Sequence, residues 1–491
     1  MLLIGHFLIA ILLIGPSFAG EILTCFKQGE LGSCSRPALQ HVKFKSVVLQ
    51  FVDPAKSGLG ESLSRLLWRE ILESISDLSG AGVILAYDRE GDIEGALGQR
   101  DLGAFLEQEY HAAANAIAEQ QKVQMAIWGA VLKDGDEIFV QTFLTLRQEG
   151  DDAWTALSFS STEPAQVRLS ALLGRQRLNL MPLRGTKTDL FSRNWVTRCA
   201  LDMGCPRGIA LRERASNDSP VTAFVPVGSQ VKAIDMNRQW LKVSRQGADP
   251  AWINIYHVEM LPRSIEFFDR RNVNLRARPG GSSIARVNLD GAYQVNDAQR
   301  HGQYGEPWYF IEVGSRRGWI AGRLVNRRSY TFPAVHLIAG LYRYGRSQFR
   351  KAQEEFEAFL AQSPNEDNVT QATVLQFLAA SRVAGQRNST SKGRQALSDL
   401  DLASKLTPFD AKIYSLRAVV RVGAEKQMVS VVADLEQALE LNKRDPTALR
   451  LLHDMSRISE RYGLDVFVPG GEIGNATHKL KALEHLYIKP Q

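Results

Sequence analysis

Four cysteines in 491 residues, none in a C-x-x-C pair, leave no thioredoxin-type motif. Their C-x8-C and C-x5-C spacings, with no histidine alongside, match no zinc-ligand pattern, so no metal is expected. HExxH, a phosphate-binding glycine loop and a nucleophile elbow are also missing, which removes the common signatures of metalloprotease, nucleotide and serine-hydrolase chemistry. The nine histidines are dispersed, and His111 and His453 fall on expected helices where a satisfied or solvent-facing ring is the ordinary reading. Asp134 with Asp136 reads as a hairpin turn, and Asp88, Glu90 and Asp92 as a solvated loop. Neither an enzyme nor a bound cofactor is expected. Long apolar runs are absent after residue 19, which excludes a multi-span membrane protein.

What is present is ordinary globular composition, 44% hydrophobic and 23% charged, in a chain long enough for several cores. Leu2 to Ile14 form the one apolar run, followed by Pro16 and the triplet Ser17, Phe18, Ala19. That order is expected of a secretory signal peptide over residues 1–19, although its first residues carry only His6 and no Lys or Arg. An uncleaved segment would keep the chain near a membrane. Export favours pairing of Cys25 with Cys34 and of Cys199 with Cys205, two close neighbours in each case. Charge is uneven: residues 41–180 are net acidic by roughly seven, while 181–350 are basic and rich in Arg. A basic middle favours anionic partners over nucleic acid, for which no motif is found.

From 41 to 180 short β runs alternate with helices. Lys45 to Val52 and Gly82 to Tyr87 read as buried strands. Leu63, Leu66, Leu67, Ile71, Ile75 and Leu78 make one helical stripe, Leu102 to Gln121 a second helix, and Gln124–Leu132 with Glu137–Leu146 a hairpin turning at Lys133–Asp136. This order, with Gly129, Asp134, Gly135 and Asp136 on the hairpin, resembles the amino-terminal domain of periplasmic TolB proteins, which implies an interaction domain of the envelope without catalytic residues.

An internal repeat occupies the middle. Leu211, Arg212, Arg214, Gly228, Trp240 and Trp252 align with Leu275, Arg276, Arg278, Gly291, Trp308 and Trp319, and Val231 with Tyr293 or its neighbour. Short hydrophobic-x-hydrophobic runs punctuated by Gly and Pro predict small β-barrels over 208–262 and 265–328. The second copy, with Val273 to Pro279 and Gly318–Trp319–Ile320, resembles the bacterial SH3 family; the first departs at Glu213 and Ala215. The resemblance implies a ligand groove at Trp308, Tyr309, Tyr304 and Trp319 with Arg276 and Arg278 at its edge, suited to a carboxylate-bearing peptide. Trp319 and Tyr309 also read as barrel core, Trp319 above all.

Over 331–463, Gly340, Ala352, Phe356 and Pro364, then Ala396, Leu400, Ala403 and Pro408, then Asp434 to Leu441 recur as in tetratricopeptide repeats, with a polar insertion at Gln386–Gly393. Residues 20–40 and 181–207 read as linkers and 464–491 as an irregular tail. The expected fold is therefore multidomain α+β: an α/β domain, two SH3-like barrels and a helical-hairpin array. The expected function is an exported binding scaffold of the bacterial envelope, with peptidoglycan or envelope proteins as partners. The competing expectation is a periplasmic sensor or enzyme-associated module whose α/β domain senses a ligand or hydrolyses.

Overall fold

The computed structural model describes residues 45–75, 82–86, 107–120, 123–146, 177–199, 207–245, 248–301, 306–384, 390–424, 428–462 and 473–488, the short strands at 21–27, 30–33, 157–159 and 165–167, and Leu78 and Cys205. The chain is mixed α and β, built from sheets and a C-terminal helical array.

The first sheet holds β1 (Glu21–Lys27), β2 (Glu30–Ser33), β3 (Lys45–Val48), β4 (Gly82–Ala86), β5 (Met125–Asp134) and β6 (Glu137–Leu146). After the separate β7–β8 hairpin (Leu157–Phe159, Ala165–Val167), β9 (Arg177–Asn179) and β10 (Leu183–Thr186) add to β6. Central β3 runs parallel to β4 and β5, because helices α1 (Leu59–Ser74) and α2 (Glu107–Gln120) make the crossovers. Val47 packs in the α2 layer and Val48 in the α1 layer, so both sheet faces are covered. The hairpin turns at Gly135–Asp136, with a positive φ at Gly135 alone. The 20–40 segment thus contributes two strands, where a linker was expected. His111 is satisfied and buried: its ring nitrogens face Thr145 Oγ1 at 2.7 Å and Asn179 Oδ1 at 3.3 Å.

The linker expected at 181–207 is also structured, as β10, the capped helix α3 (Lys187–Phe191) and β11 (Arg193–Thr197). β11 opens the second sheet and is joined by β12 (Ile209–Arg212), β13 (Val221–Val225), β14 (Gln230–Asn237), β15 (Trp240–Arg245), β16 (Ala248–Asn254) and β17 (Val258–Met260). A third sheet follows, of β18 (Ser264–Arg276), β19 (Ser283–Gln294), β20 (Asp297–His301), β21 (Glu306–Val313), β22 (Arg316–Ala321) and β23 (Arg327–Arg328).

Register shows these two sheets as copies of one plan. Arg212 pairs with Trp252, and Arg276 with Trp319. Trp195 lies between Val231 and Met260 as Ile265 lies between Tyr293 and Arg328. Gly228 and Gly291 both hold φ near +90°, at +87° and +91°. The repeat therefore begins at residue 193, not 208. Its opening strand is continuous as β18 in the second copy, but in the first it is split into β11 and β12 around the Cys199–Cys205 disulfide (Cα separation 5.8 Å). Among the described residues neither strand order forms a closed ring of pairings, as a barrel would; in the first copy the path leaves β12 and ends at β11 and β17.

The array comprises α4 (Ala334–Gly345), α5 (Phe349–Gln362), α6 (Asn368–Ala384), α7 (Thr390–Leu406), α8 (Ala411–Ala424), α9 (Met428–Leu441), α10 (Pro446–Tyr462) and α11 (Ile473–Tyr487), consistent with tetratricopeptide-like repeats. A Cβ on Gly340 would lie 2.5 Å from the Phe356 ring, so only glycine lets α4 and α5 meet there. Arg382–Asp399 at 2.7 Å and Arg417–Asp434 at 2.6 Å are the same interhelical bridge one repeat apart. The wider first period comes from the 17-residue helices α6 and α7 as much as from the loop: α7 starts at Thr390, inside the expected insertion. Helix α11 likewise replaces most of the expected irregular tail, where it packs on α9 and α10.

Helix α1 joins these parts. Its apolar stripe faces the sheet as expected, yet Arg65, Arg69, Glu70 and Glu73 on its other sides are buried too. Glu70 accepts from Arg193 at 3.0 Å, from the amide and hydroxyl of Thr331, and from the amide of Phe332 at 3.1 Å. Glu73 accepts from the amide of Met260 at 2.8 Å, and Arg65 donates to the Tyr256 hydroxyl at 2.8 Å. Burial lowers the Arg193 pKa, which the Glu70 charge opposes. Breaking such a pair from one side strands a buried charge. Glu70→Gln should therefore lose about 3 kcal/mol in urea unfolding, with partial recovery when Arg193→Met is added. A loss below about 1 kcal/mol would show that this contact is not what seats the modules.

Candidate functional site

Strand alternation divides the residues expected to share one groove. Trp308 and Tyr309 are neighbours on β21 and so face opposite sides of the sheet. Trp308, Trp319 and Ala321 form an outer cluster with Phe310 and Leu324, whereas Tyr309 packs in the core with Ile311 and Ile320. Arg276 joins the outer group, its guanidinium 5.8 Å from the Trp308 ring centroid. Phe310 and Trp319 lie 5.4 Å apart between centroids. Arg278 is exposed in the following turn, where its carbonyl accepts from the Gly281 amide at 2.9 Å. Tyr304 lies outside the described residues, as does Cys34, the expected partner of Cys25.

The outer cluster has one unmet donor. Trp308 is only 4% exposed, and its indole Nε1 has no hydrogen-bond partner. Burying an N–H unpaired costs about 1–3 kcal/mol, as it does for the core indoles of Trp68 and Trp195, and an acceptor admitted by opening of this outer cluster would recover it. Arg276, which also donates to the Gly281 carbonyl, supplies positive charge beside it. In the first copy Trp240 and Trp252 occupy the equivalent register, but Lys242 stands where the second has Phe310 and lies 5.9 Å over the Trp252 ring. The two copies thus keep the cation–aromatic theme with different partners.

On the opposite side, Tyr309 lines a cavity of about 440 Å³ where the two copies meet the start of the array. Arg198, Glu259, Gln299, Arg328 and Tyr330 share its wall. The charges there are mutually engaged: Arg198 pairs with Glu259 at 3.3 Å, and Arg328 lies 5.6 Å over the Tyr309 ring and donates to the Glu73 carbonyl. Burial raises the pKa of the Tyr330 hydroxyl, keeping it neutral. The cavity was not foreseen, because its walls come from strands of both copies and no one motif spans them. Among the described residues no cluster of three His, Cys, Asp or Glu could hold a metal, and no helix is long and apolar enough to cross a membrane.

No family model matches the chain, and no curated protein does. Solved structures resemble parts of it. The first tetratricopeptide domain of Spaghetti, bound to an HSP90 peptide, is 20% identical over 26% of this chain and 93% of its own, with a TM-score of 0.22. A thermophilic tetratricopeptide protein of Thermus thermophilus is 18% identical over 31% of this chain and 81% of its own, TM-score 0.22. NlpC2 of Trichomonas vaginalis is 12% identical over 41% of this chain and 71% of its own, TM-score 0.15.

A titratable latch holds the α/β sheet to the array. Glu366, between α5 and α6, accepts from the Met181 amide at 2.7 Å, and Thr370 donates to the Asn179 carbonyl at 3.4 Å. Burial pushes the Glu366 carboxyl up to about 7, against the Met181 amide, which favours its charged form. An acid raised in the folded state contributes stability that is complete below its ordinary 4.5 and lost as pH rises through 7. Glu366→Gln should flatten this dependence and stabilise the protein by on the order of 1–2 kcal/mol at pH 8. Melting curves from pH 5 to 8 check it, and parallel pH profiles for both proteins would refute it.

Proposed function

We propose that this chain is an exported, non-catalytic binding scaffold of the bacterial cell envelope. In this reading the second tryptophan-bearing repeat is an SH3-like module that takes a carboxylate-bearing peptide, of peptidoglycan or of a protein, and the array takes a protein partner. The observation that carries it is the buried, unpartnered indole N–H of Trp308 with the Arg276 guanidinium over the same ring. A carboxylate is an acceptor that both donors could share, and it brings the charge that a neutral acceptor lacks. Export is supported by the apolar N-terminal run and by the Cys199–Cys205 disulfide, a bond that persists in oxidising compartments. The β-α-β order and long hairpin of residues 45–146 support the resemblance to the TolB amino-terminal domain.

Purified sacculi and stem peptides ending in a free carboxylate are the direct probes. Trp308→Phe keeps a ring and deletes the N–H, so it should weaken binding about tenfold; Arg276→Gln should do at least as much. Undiminished binding by both variants overturns the groove. Cleavage of sacculi by the purified chain overturns the non-catalytic reading and favours the sensor or enzyme-associated one.

A further inference from the structure

Alternate helices of the array, α4, α6, α8 and α10, turn toward the α/β domain. Helix α4 packs on α1, α6 meets β9, and the β7–β8 hairpin lies across the next three: β7 against α6 and α8, and β8 against α10. Stacked helical hairpins leave one curved face uncovered, lined by one helix of each pair, and an extended segment crossing successive helices is the geometry that face accommodates. Here a piece of the same chain takes that path.

The chemistry of α6 fits a covered face that is polar. Thr370, Thr373 and Gln376 recur at three-residue spacing and are all buried, although such residues on an open helix face would be wet. Thr370 reaches the Asn179 carbonyl of β9 and Gln376 donates to Asp410 at 3.0 Å, but the Gln376 Oε1 has no hydrogen-bond partner. That unmet acceptor leaves hydrogen-bonding capacity unused on α6, the helix that β7 crosses. A competing segment with a free backbone N–H would have something to gain there.

We propose that the β7–β8 hairpin is an intramolecular ligand: it fills the inner face of the array, and a protein partner engages that face only by displacing it. This rests on reading the array as a peptide-binding surface, and it is independent of the Trp308 site. The hairpin competes in cis at the high effective concentration of a tethered segment, so the intact chain binds the same sequence in trans more weakly than a chain lacking the hairpin.

The probe is a fluorescent synthetic peptide covering residues 153–171. Against full-length protein in which residues 157–167 are replaced by a Gly-Ser linker, it should bind with a micromolar-range Kd, and against the unaltered chain at least about tenfold more weakly. Equal binding to both, or no binding to a variant whose circular dichroism and melting show it folded, overturns the proposal. If the variant does not fold, the unaltered chain serves: saturating peptide should accelerate amide hydrogen exchange at residues 157–167, and unchanged exchange overturns it equally. Loss of sacculus binding in Trp308→Phe leaves these readouts untouched, so the failure of either idea is distinguishable from that of the other.

Discussion

A carboxylate buried as deeply as that of Glu70 must be met by donors, and the ones that meet it fix the positions of distant parts of the chain. Arg193 belongs to the first tryptophan-bearing sheet, and Thr331 and Phe332 lead into the helical array. Around the same helix, Met260 reaches Glu73 and Arg343 reaches the Ser74 carbonyl at 2.9 Å. Ion pairs of this kind add little net stability over an apolar contact, since desolvation consumes most of the attraction. Their effect is on arrangement: a misdocked module would leave charge unpaired. Apolar surface alone would permit many relative orientations of sheet, repeat and array, and α1 permits few.

The uneven charge of the chain follows from the same packing. An acidic first part and a basic middle suggest an external anionic partner, but several of those charges meet each other. Arg193 pairs with Glu70, Arg238 with Glu61 at 3.3 Å and Arg184 with Glu137. No basic residue occupies the last turn of α1, and its terminal carbonyls instead receive Arg328 and Arg343 from elsewhere in the chain. Cations at a helix C-terminus are favoured by the helix dipole. Others end beside aromatic rings, as Arg276 does at Trp308 and Lys242 at Trp252.

How far sequence reading reached depended on whether a signal was local. The strands, the hairpin, the glycine at 340 and the pairing of Leu211–Trp252 with Leu275–Trp319 are local or repeat at fixed spacing, and they emerged at the expected places. The opening strand of the first repeat did not, because the loop closed by Cys199–Cys205 separates it from β12 and hides its equivalence to the start of β18. The buried charges of α1 were not legible, since nothing in a helical pattern tells whether water or another module covers its polar side. Placing Trp308 and Tyr309 in one groove ignored the two-residue period of a strand, which could have been read from the sequence itself.

The anchoring at Thr331 and Phe332 also determines which way the array faces. Helix α4 begins immediately after these residues and lies on α1, with Tyr342 meeting Ser46 of β3 across 2.6 Å. A second fixed point follows one hairpin later, where Thr370 holds Asn179 at the end of β9 and Glu366 holds Met181 two residues on. Two such points on successive hairpins define the direction of a stack, because each later hairpin is placed by its neighbour alone. The inner face is consequently turned toward the α/β domain rather than away from it, and the strands β7 and β8, which follow β6, are what α8 and α10 meet there. Occupation of the array by β7 and β8 is thus a consequence of how α1 seats the first helices. Any partner of the inner face has to contend with that seating as well as with the hairpin.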